Sequence, residues 1–475
     1  MKLNAKKTIY VGFAFLIICI FWQVYDNIIA KMLINSFGFN QTWSGVIMAL
    51  DNVLALFMLP LFGMISDRTN TKYGKRTPFI FWGVIISAVL FTGVALIDIL
   101  QQNAVVNAGI SGVITNTVDG NTVYLFNGVE YLTKEAAALA RSELVMQVTK
   151  NNIFLLVAFI GILLLVLIAM ATYRTPAVSL MPDVTVKPLR SKANAIINLM
   201  GAVGGIIALG LMSFLAKDYQ SYVLLFIVVA VLMIALLMFF MWKVKEPKLV
   251  AEMHLESQKY GLEEASEEIN EPVKEKMSPE VKKSFLLIIA SIVFWFMAYN
   301  AATTKFSIYS QDVLDMGFTL PLLIAQAAAI VCFIPIGIIA SKVGRKKTII
   351  VGILILTVAF ILGIIATPST KVLIYFTMAM AGIGWATINV NSYPMIVEMS
   401  KGSNIGKYTG YYYTASMAAQ IVTPVLSGFL MDKIGLRVLF PYSVVFCLLA
   451  LSTMIFVKHG DSKPIPSKAL EDLEA

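Results

Sequence analysis

GMISDRTNTKYGKRTPF, residues 63–79, lies between two long apolar runs and reads as a short loop joining two spanning helices. It carries Asp67, Arg68, Lys72, Lys75 and Arg76 beside Gly63 and Gly74. A weaker copy, GIIASKVGRKK at 337–347, recurs at the matching place in the second half, with Gly337, Gly344 and Arg345 kept and Ser341 standing where the first copy has Asp67. Basic residues gather in alternate loops. Lys2, Lys6 and Lys7 precede the first apolar run, and Lys187 and Arg190 follow the fourth. The short loops between, 35–42, 217–219, 310–318 and 368–370, hold only Lys217. That asymmetry predicts both termini on the cytoplasmic side.

The surrounding composition fits. Of 475 residues, 58% are hydrophobic and 14% charged, and the mean hydropathy is +0.80, too apolar for a soluble domain. Twelve stretches are long enough to span a bilayer: 9–34, 43–65, 78–99, 153–180, 192–216, 220–242, 284–309, 319–340, 348–367, 371–397, 405–430 and 438–457. The first is too long for a cleavable signal and reads as a spanning helix. The +9 net charge is absorbed by topology, so nucleic acid is not an expected partner. Cys19, Cys332 and Cys447 fall inside apolar runs and give no disulfide or metal pattern. No cofactor is expected.

The organisation predicted is an all-α membrane protein of two six-helix bundles. The first bundle covers residues 1–242, a charged cytoplasmic linker 243–283, and the second bundle with a short tail 284–475. The loop 100–152 is long. Its 111–132 portion alternates and carries Asp119-Gly120 and Asn127-Gly128, which suit type I′ turns. A small external β-meander is predicted there, followed by a helix over about 133–150, with a further helix in the linker over 252–268.

Ionisable groups inside spans are costly and face a cavity or a partner. Asp26, Asp51, Arg174 and Lys305 fall there. Each acid lies ~12 Å from the outer end of its helix at 1.5 Å per residue. Two ionised carboxylates at like depth repel, so a proton shared with this pair is the expected coupling ion. The helices around them are rich in amides and aromatics: FWQVYDN (21–27), FWFMAYNAATTK (294–305), GWATINVNSYP (384–394) and YTGYYYTASMAAQ (408–420). Flat aromatic faces and amides suit the C–H faces and paired hydroxyls of a sugar. The expected substrate-binding set is Trp22, Gln23, Tyr25, Asn198, Trp295, Tyr299, Asn300, Trp385, Asn389 and Gln420. Asp26, Asp51 and Arg174 are the expected proton-coupling set. Gly63, Asp67, Arg68, Gly74, Lys75, Arg76, Gly337, Gly344 and Arg345 form the expected gating loops. Gly201, Gly204 and Gly205 read as helix-packing positions.

SDRTNTKYGKRTPF (66–79) resembles the loop of the glycoside-pentoside-hexuronide:cation symporter family, closest to its sucrose-transporter-like branch within the major facilitator superfamily. TPAVSLMPD (175–183) after Arg174, RSKANA (190–195), VKEP (244–247) and SGFLMDKIG (427–435) add to it. The resemblance implies the major facilitator fold and a monomeric plasma-membrane carrier moving a sugar or glycoside with a cation. It also implies a coupling or sugar-binding role for Arg174. Positions where that family carries acids are here Leu59, Ala55, Cys19 and Leu164, which leaves Asp26 and Asp51 and favours a proton over sodium. An exporter of drugs or other amphiphiles, or a non-transporting sensor on the same fold, are the alternatives. A membrane enzyme is not expected, because no nucleophile–base pair is visible.

Overall fold

Long uncharged runs leave the backbone no partner in a bilayer except itself, so they fold as helices. The computed structural model describes residues 3–39, 41–118, 121–131, 134–215, 222–260, 278–306, 309–310, 313–314, 316–399 and 404–461. The first bundle holds α1 (Ala5–Asn35), α2 (Gln41–Met48), α3 (Leu50–Arg68), α4 (Thr77–Asn107), α5 (Lys134–Asn151), α6 (Ile153–Asp183), α7 (Arg190–Leu215) and α8 (Val223–Lys243). Helix α9 (Glu246–Lys259) follows it. The second bundle holds α10 (Pro279–Thr304), α11 (Thr319–Val343), α12 (Arg345–Ile365), α13 (Leu373–Glu398), α14 (Ile405–Ile434) and α15 (Leu439–Ile455). Twelve spans among the described residues are long and apolar enough to cross a membrane, with Val46–Arg68 as the second.

Two details differ from the sequence expectation. The second span is interrupted by a turn at Ala49, which divides α2 from α3 and puts Asp51 in the first turn of α3. The helix after the first bundle starts at Glu246, six residues earlier than expected, with Pro247 in its first turn, where a missing N–H costs nothing. Its predicted continuation past residue 260 lies outside the described residues.

Beyond α4 a three-stranded antiparallel sheet runs β1 (Ile114–Val118), β2 (Asn121–Phe126), β3 (Val129–Tyr131). The β2–β3 turn has Asn127 at φ 48° and Gly128 at φ 78°, the positive pair a type I′ turn requires. Asp119-Gly120 lies outside the described residues. Phe126 packs with Val105, Ile110, Ala137, Val145 and Val148, which seats the sheet and α5 on the end of α4.

Within the bundles α1 packs on α7, α4 on α6 and α8, α13 on α11 and α12, and α10 on α15. The α1–α7 contact is close because Gly201 and Gly204 are there: a Cβ on Gly204 would stand 2.6 Å from the Leu16 carbonyl. Between the bundles α3 lies along α14 and α7 along α11. Gly63 and Gly406 meet at the first of these contacts, where a Cβ on Gly63 would be 2.1 Å from the Gly406 carbonyl oxygen.

Candidate functional site

The two basic loops fold into matching charge clusters. In the first, Arg76 is 1% exposed and spans three partners. Its guanidinium meets Asp67 at 2.6 Å and Asp183 at 2.7 Å, and donates to the Ser66 hydroxyl. Asp67 in turn accepts the backbone N–H groups of Gly406 and Lys407, both at 2.8 Å, from the opposite bundle. Glu246 closes the loop from below. Its carboxylate accepts the N–H groups of Lys75, Arg76 and Thr77 and the Thr77 hydroxyl, which caps α4 at its positive end. Gly74 sits at φ +110°, with Glu246 Cδ 2.2 Å from where a Cβ would be, so only glycine fits. Arg68 is exposed.

In the second cluster Arg345, also 1% exposed, meets Glu398 at 2.8 Å. It crosses to the first bundle through the Ser191 hydroxyl at 3.1 Å and the Lys187 carbonyl. Asp461 accepts the Arg345 N–H at 2.7 Å beside Gly344, at φ +103°. Glu398 also meets Arg190 of the other bundle at 3.4 Å. Ser341 bonds only its own helix, at the Gly337 carbonyl, and Gly337 packs against Ala195 and Ser191.

Further hydrogen bonds join the bundles from the loops toward mid-helix. Tyr393 donates to the Val178 carbonyl at 3.1 Å, Ser179 to Thr409 at 2.9 Å, Asn194 to the Val390 carbonyl at 2.9 Å, and Thr414 to the Leu56 carbonyl at 3.1 Å. Leu59, Ala55, Ala171 and Met417 form a buried apolar cluster beside them, joined by Tyr413.

At mid-helix lies Arg174 of α6. Its guanidinium carbon stands 5.2 Å from the Trp22 ring of α1 and 4.9 Å from the Tyr413 ring of α14, one aromatic from each bundle. Asp26 and Asp51 are within electrostatic reach of each other and of Arg174. Asp26 is exposed, whereas Asp51 is half-buried and accepts the Asn52 side-chain amide at 2.8 Å. Of the remaining expected residues, Trp295, Tyr299 and Trp385 come together as an aromatic group in the second bundle, and the others lie elsewhere along their helices. Tyr299 stacks on Trp385 at 4.2 Å, and Trp295 meets Trp385 at 5.2 Å. Trp295 and Tyr25 are fully enclosed. Gln23 reaches toward Gly205, and Asn198 donates to the Asn194 carbonyl at 2.8 Å. The Asn389 carbonyl accepts from Asn194 at 3.3 Å, and Gln420 donates to the Ser416 carbonyl at 3.4 Å. Among these expected residues, four buried donors have no acceptor: Trp22 Nε1, Tyr25 Oη, Trp295 Nε1 and Asn300 Nδ2.

Sequence reasoning did not reach Asp183, Glu246, Glu398, Asp461 or Tyr413. A signal existed for two of them, since Asp183 and Glu398 end the fourth and tenth membrane spans, α6 and α13, at the same place in each half.

Comparison with known proteins agrees with the fold. Residues 136–389 and 320–473 match the Major Facilitator Superfamily model, and residues 11–119 match the one described as MFS/sugar transport protein. An "MFS-type transporter ppzB" of Metarhizium rileyi is 26% identical over 141 residues, 30% of this chain and 29% of that one. An Escherichia coli protein named "Putative glycoside/cation symporter YagG" is 33% identical over 64 residues, 14% of each chain. The chain thus matches less than a third of the length of either relative. Crystal structures of a bacterial homologue of the iron transporter ferroportin in an outward-facing state superpose with a TM-score of 0.62 at 12% identity. The first covers 95% of this chain and 99% of that one, a likeness of fold alone. With twelve spans, two paired bundles and a family model covering most of its length, the chain belongs to the Major Facilitator Superfamily.

Proposed function

We propose that the protein is a proton-coupled symporter of a sugar or glycoside, working by alternating access in the plasma membrane with both termini cytoplasmic. The observation that carries this is Arg174 held between Trp22 and Tyr413, one from each bundle, with Asp26 and Asp51 in reach. A cation shared by both bundles and faced by two acids is a place where protonation changes how the halves attract. The orphaned donors of Trp22 and Asn300, both half-buried, support a hydroxyl-rich substrate, whose oxygens would satisfy groups that otherwise cost about 1–3 kcal/mol each. The stacked Tyr299–Trp385 pair offers an apolar face for the ring. The MFS/sugar transport match covers residues 11–119, which include Trp22, Gln23, Asp26, Asp51 and the first loop. A proton rather than sodium is favoured because Leu59 and Ala55, which stand where the related symporters carry acids, pack into an apolar cluster with Met417.

On this reading the basic-loop side is cytoplasmic and closed, so the conformation is outward-facing. The substrate enters beside Asp26, and the loop clusters release when the cavity turns inward. Proteoliposomes loaded at one pH and diluted into another test it. Labelled disaccharides or glycosides are expected to accumulate when the outside is acidic, and to equilibrate only when a protonophore is added. Absence of any uptake across a broad glycoside panel, with uptake of an apolar amphiphile instead, overturns it.

A further inference from the structure

We propose that an anionic phospholipid binds at the basic-loop end of the first bundle, with its phosphate in a cavity between the start of α1 and the end of α8 and its chains along the seam of those helices. The cavity measures about 140 Å³ and is lined by Asn4, Lys6, Lys7, Tyr10, Lys243 and Leu249. Three lysines thus line one small space, and among the described residues no acidic side chain lines it. Like charges gathered this closely repel unless an anion lies among them. The cavity is apart from Arg174 and its aromatic partners, so the proposal stands whatever the carrier moves.

The neighbouring acids do not neutralise it. Lys7 Nζ meets Glu252 at 2.8 Å, and Glu252 is also within electrostatic reach of Lys248. Glu246 is spent on the N–H groups of Lys75, Arg76 and Thr77. Glu256 lines the adjoining larger cavity rather than this one. Lys245 Nζ donates to the Met241 carbonyl at 2.9 Å, at the end of α8. Among the described residues no carboxylate pairs with Lys6, Lys243 or Lys245. The start of α1, where the Asn4 side chain accepts the Lys7 N–H at 3.1 Å, adds the positive end of a helix of 31 residues.

What continues from the cavity favours a lipid over a free anion. Lys243 Nζ lies 3.3 Å over the Trp242 ring and 5.9 Å from that of Tyr10. Tyr10 and Trp242 each meet Phe239 at 6.0 Å, and Phe13 meets it at 4.8 Å. Phe239 and Phe13 lie about one helical turn deeper than Lys243 and Tyr10, so the rings lead from the charged end down the seam of α1 and α8. Trp242 is 66% exposed, Met238 57% and Ile9 39%, an apolar margin that a bilayer would cover. Tryptophan and tyrosine gather at the level of the head groups, and basic pockets between spanning helices hold acidic ones. A bound lipid would tie the start of α1, which carries Trp22, Gln23 and Asp26 further along, to α8.

Thermal unfolding of the full chain in a non-ionic detergent, titrated with dioleoylphosphatidylglycerol, dioleoylphosphatidylcholine or inorganic phosphate, tests the site. A saturable rise in Tm is expected with phosphatidylglycerol and not with the other two. Lys6→Gln and Lys243→Gln should each raise the half-saturating lipid concentration about fivefold, which is roughly 1 kcal/mol. Lys283→Gln, an exposed position at the start of α10 in the second bundle, should leave it unchanged. Should Lys243→Gln fail to fold, Lys6→Gln decides the matter, because Lys6 is exposed and its loss disturbs no packing. An equal rise with phosphatidylcholine overturns the proposal, and an equal rise with inorganic phosphate assigns the cavity to a free anion and overturns it too. So does a phosphatidylglycerol response that Lys6→Gln leaves intact, or one that Lys283→Gln weakens as much as Lys6→Gln does.

Discussion

Arg76 and Arg345 do the same work in the two halves. Each is buried, each takes a carboxylate from the end of the fourth membrane span of its bundle, and each sits behind a glycine at positive φ whose neighbouring N–H groups are capped by an acid from elsewhere. The arginines and glycines were legible in the sequence because the loop repeats. Their partners were not, because Glu246 lies 170 residues from Arg76 and Asp461 lies 116 from Arg345, separations at which sequence pattern carries no pairing information. Two substitutions test the first cluster. Asp67→Asn weakens the bonds to Gly406, Lys407 and Arg76, each worth about 1.5–3 kcal/mol when charged. It should slow transport several-fold while leaving sugar affinity nearly unchanged; an affinity collapse in a binding titration would assign the loop to the substrate site. Gly74→Ala forces a side chain into left-handed backbone against Glu246 and should cost about 1–3 kcal/mol, read as a lowered Tm.

The paired helices α3 and α14 form the closest contact between the bundles, and small residues make it possible. A Cβ on Gly406 would lie 2.4 Å from the Gly63 carbonyl, and one on Gly410 would lie 2.3 Å from Pro60 Cα. Both neighbours are backbone, so neither can yield as a side-chain tip would. Gly406→Ala and Gly410→Ala should therefore hold the basic-loop side open. Single cysteines placed along α14 near Thr409 should label faster with a membrane-impermeant reagent from that side; labelling at the parental rate would mean that this contact does not close the path. The helices themselves were legible from hydropathy, and the Asn127-Gly128 turn from its residues. The break at Ala49 was not, since QTWSGVIMALDN contains no proline and reads as one continuous run with the apolar residues after it. The Leu59–Ala55 patch shows the reverse case, in which the residue types alone exclude a charge site and the structure supplies its cover, Met417 and Ala171.

Across the whole molecule, the bonds that join the bundles run from the basic loops to mid-helix, and Arg174 with its two aromatic partners lies at their inner limit. Closing one end of a two-bundle carrier leaves the other end free to admit substrate, and the same contacts must break for release. The proposed coupling rests on which acid meets that entry first. Asp26 is exposed and Asp51 is tied to Asn52, so Asp26 is the group a proton from outside would reach. Tryptophan fluorescence should report sugar binding, and Trp385→Ala should weaken it by one to two orders of magnitude, about 1–3 kcal/mol, through loss of the stacked face. The most direct test compares wild type with Asp26→Asn in proteoliposomes, measuring both accumulation under an inward proton gradient and exchange of labelled for unlabelled sugar without one. The result predicted is loss of accumulation with exchange retained. An Asp26→Asn protein that still concentrates sugar against its gradient would contradict the coupling assigned here and direct the same pair of assays to Asp51→Asn.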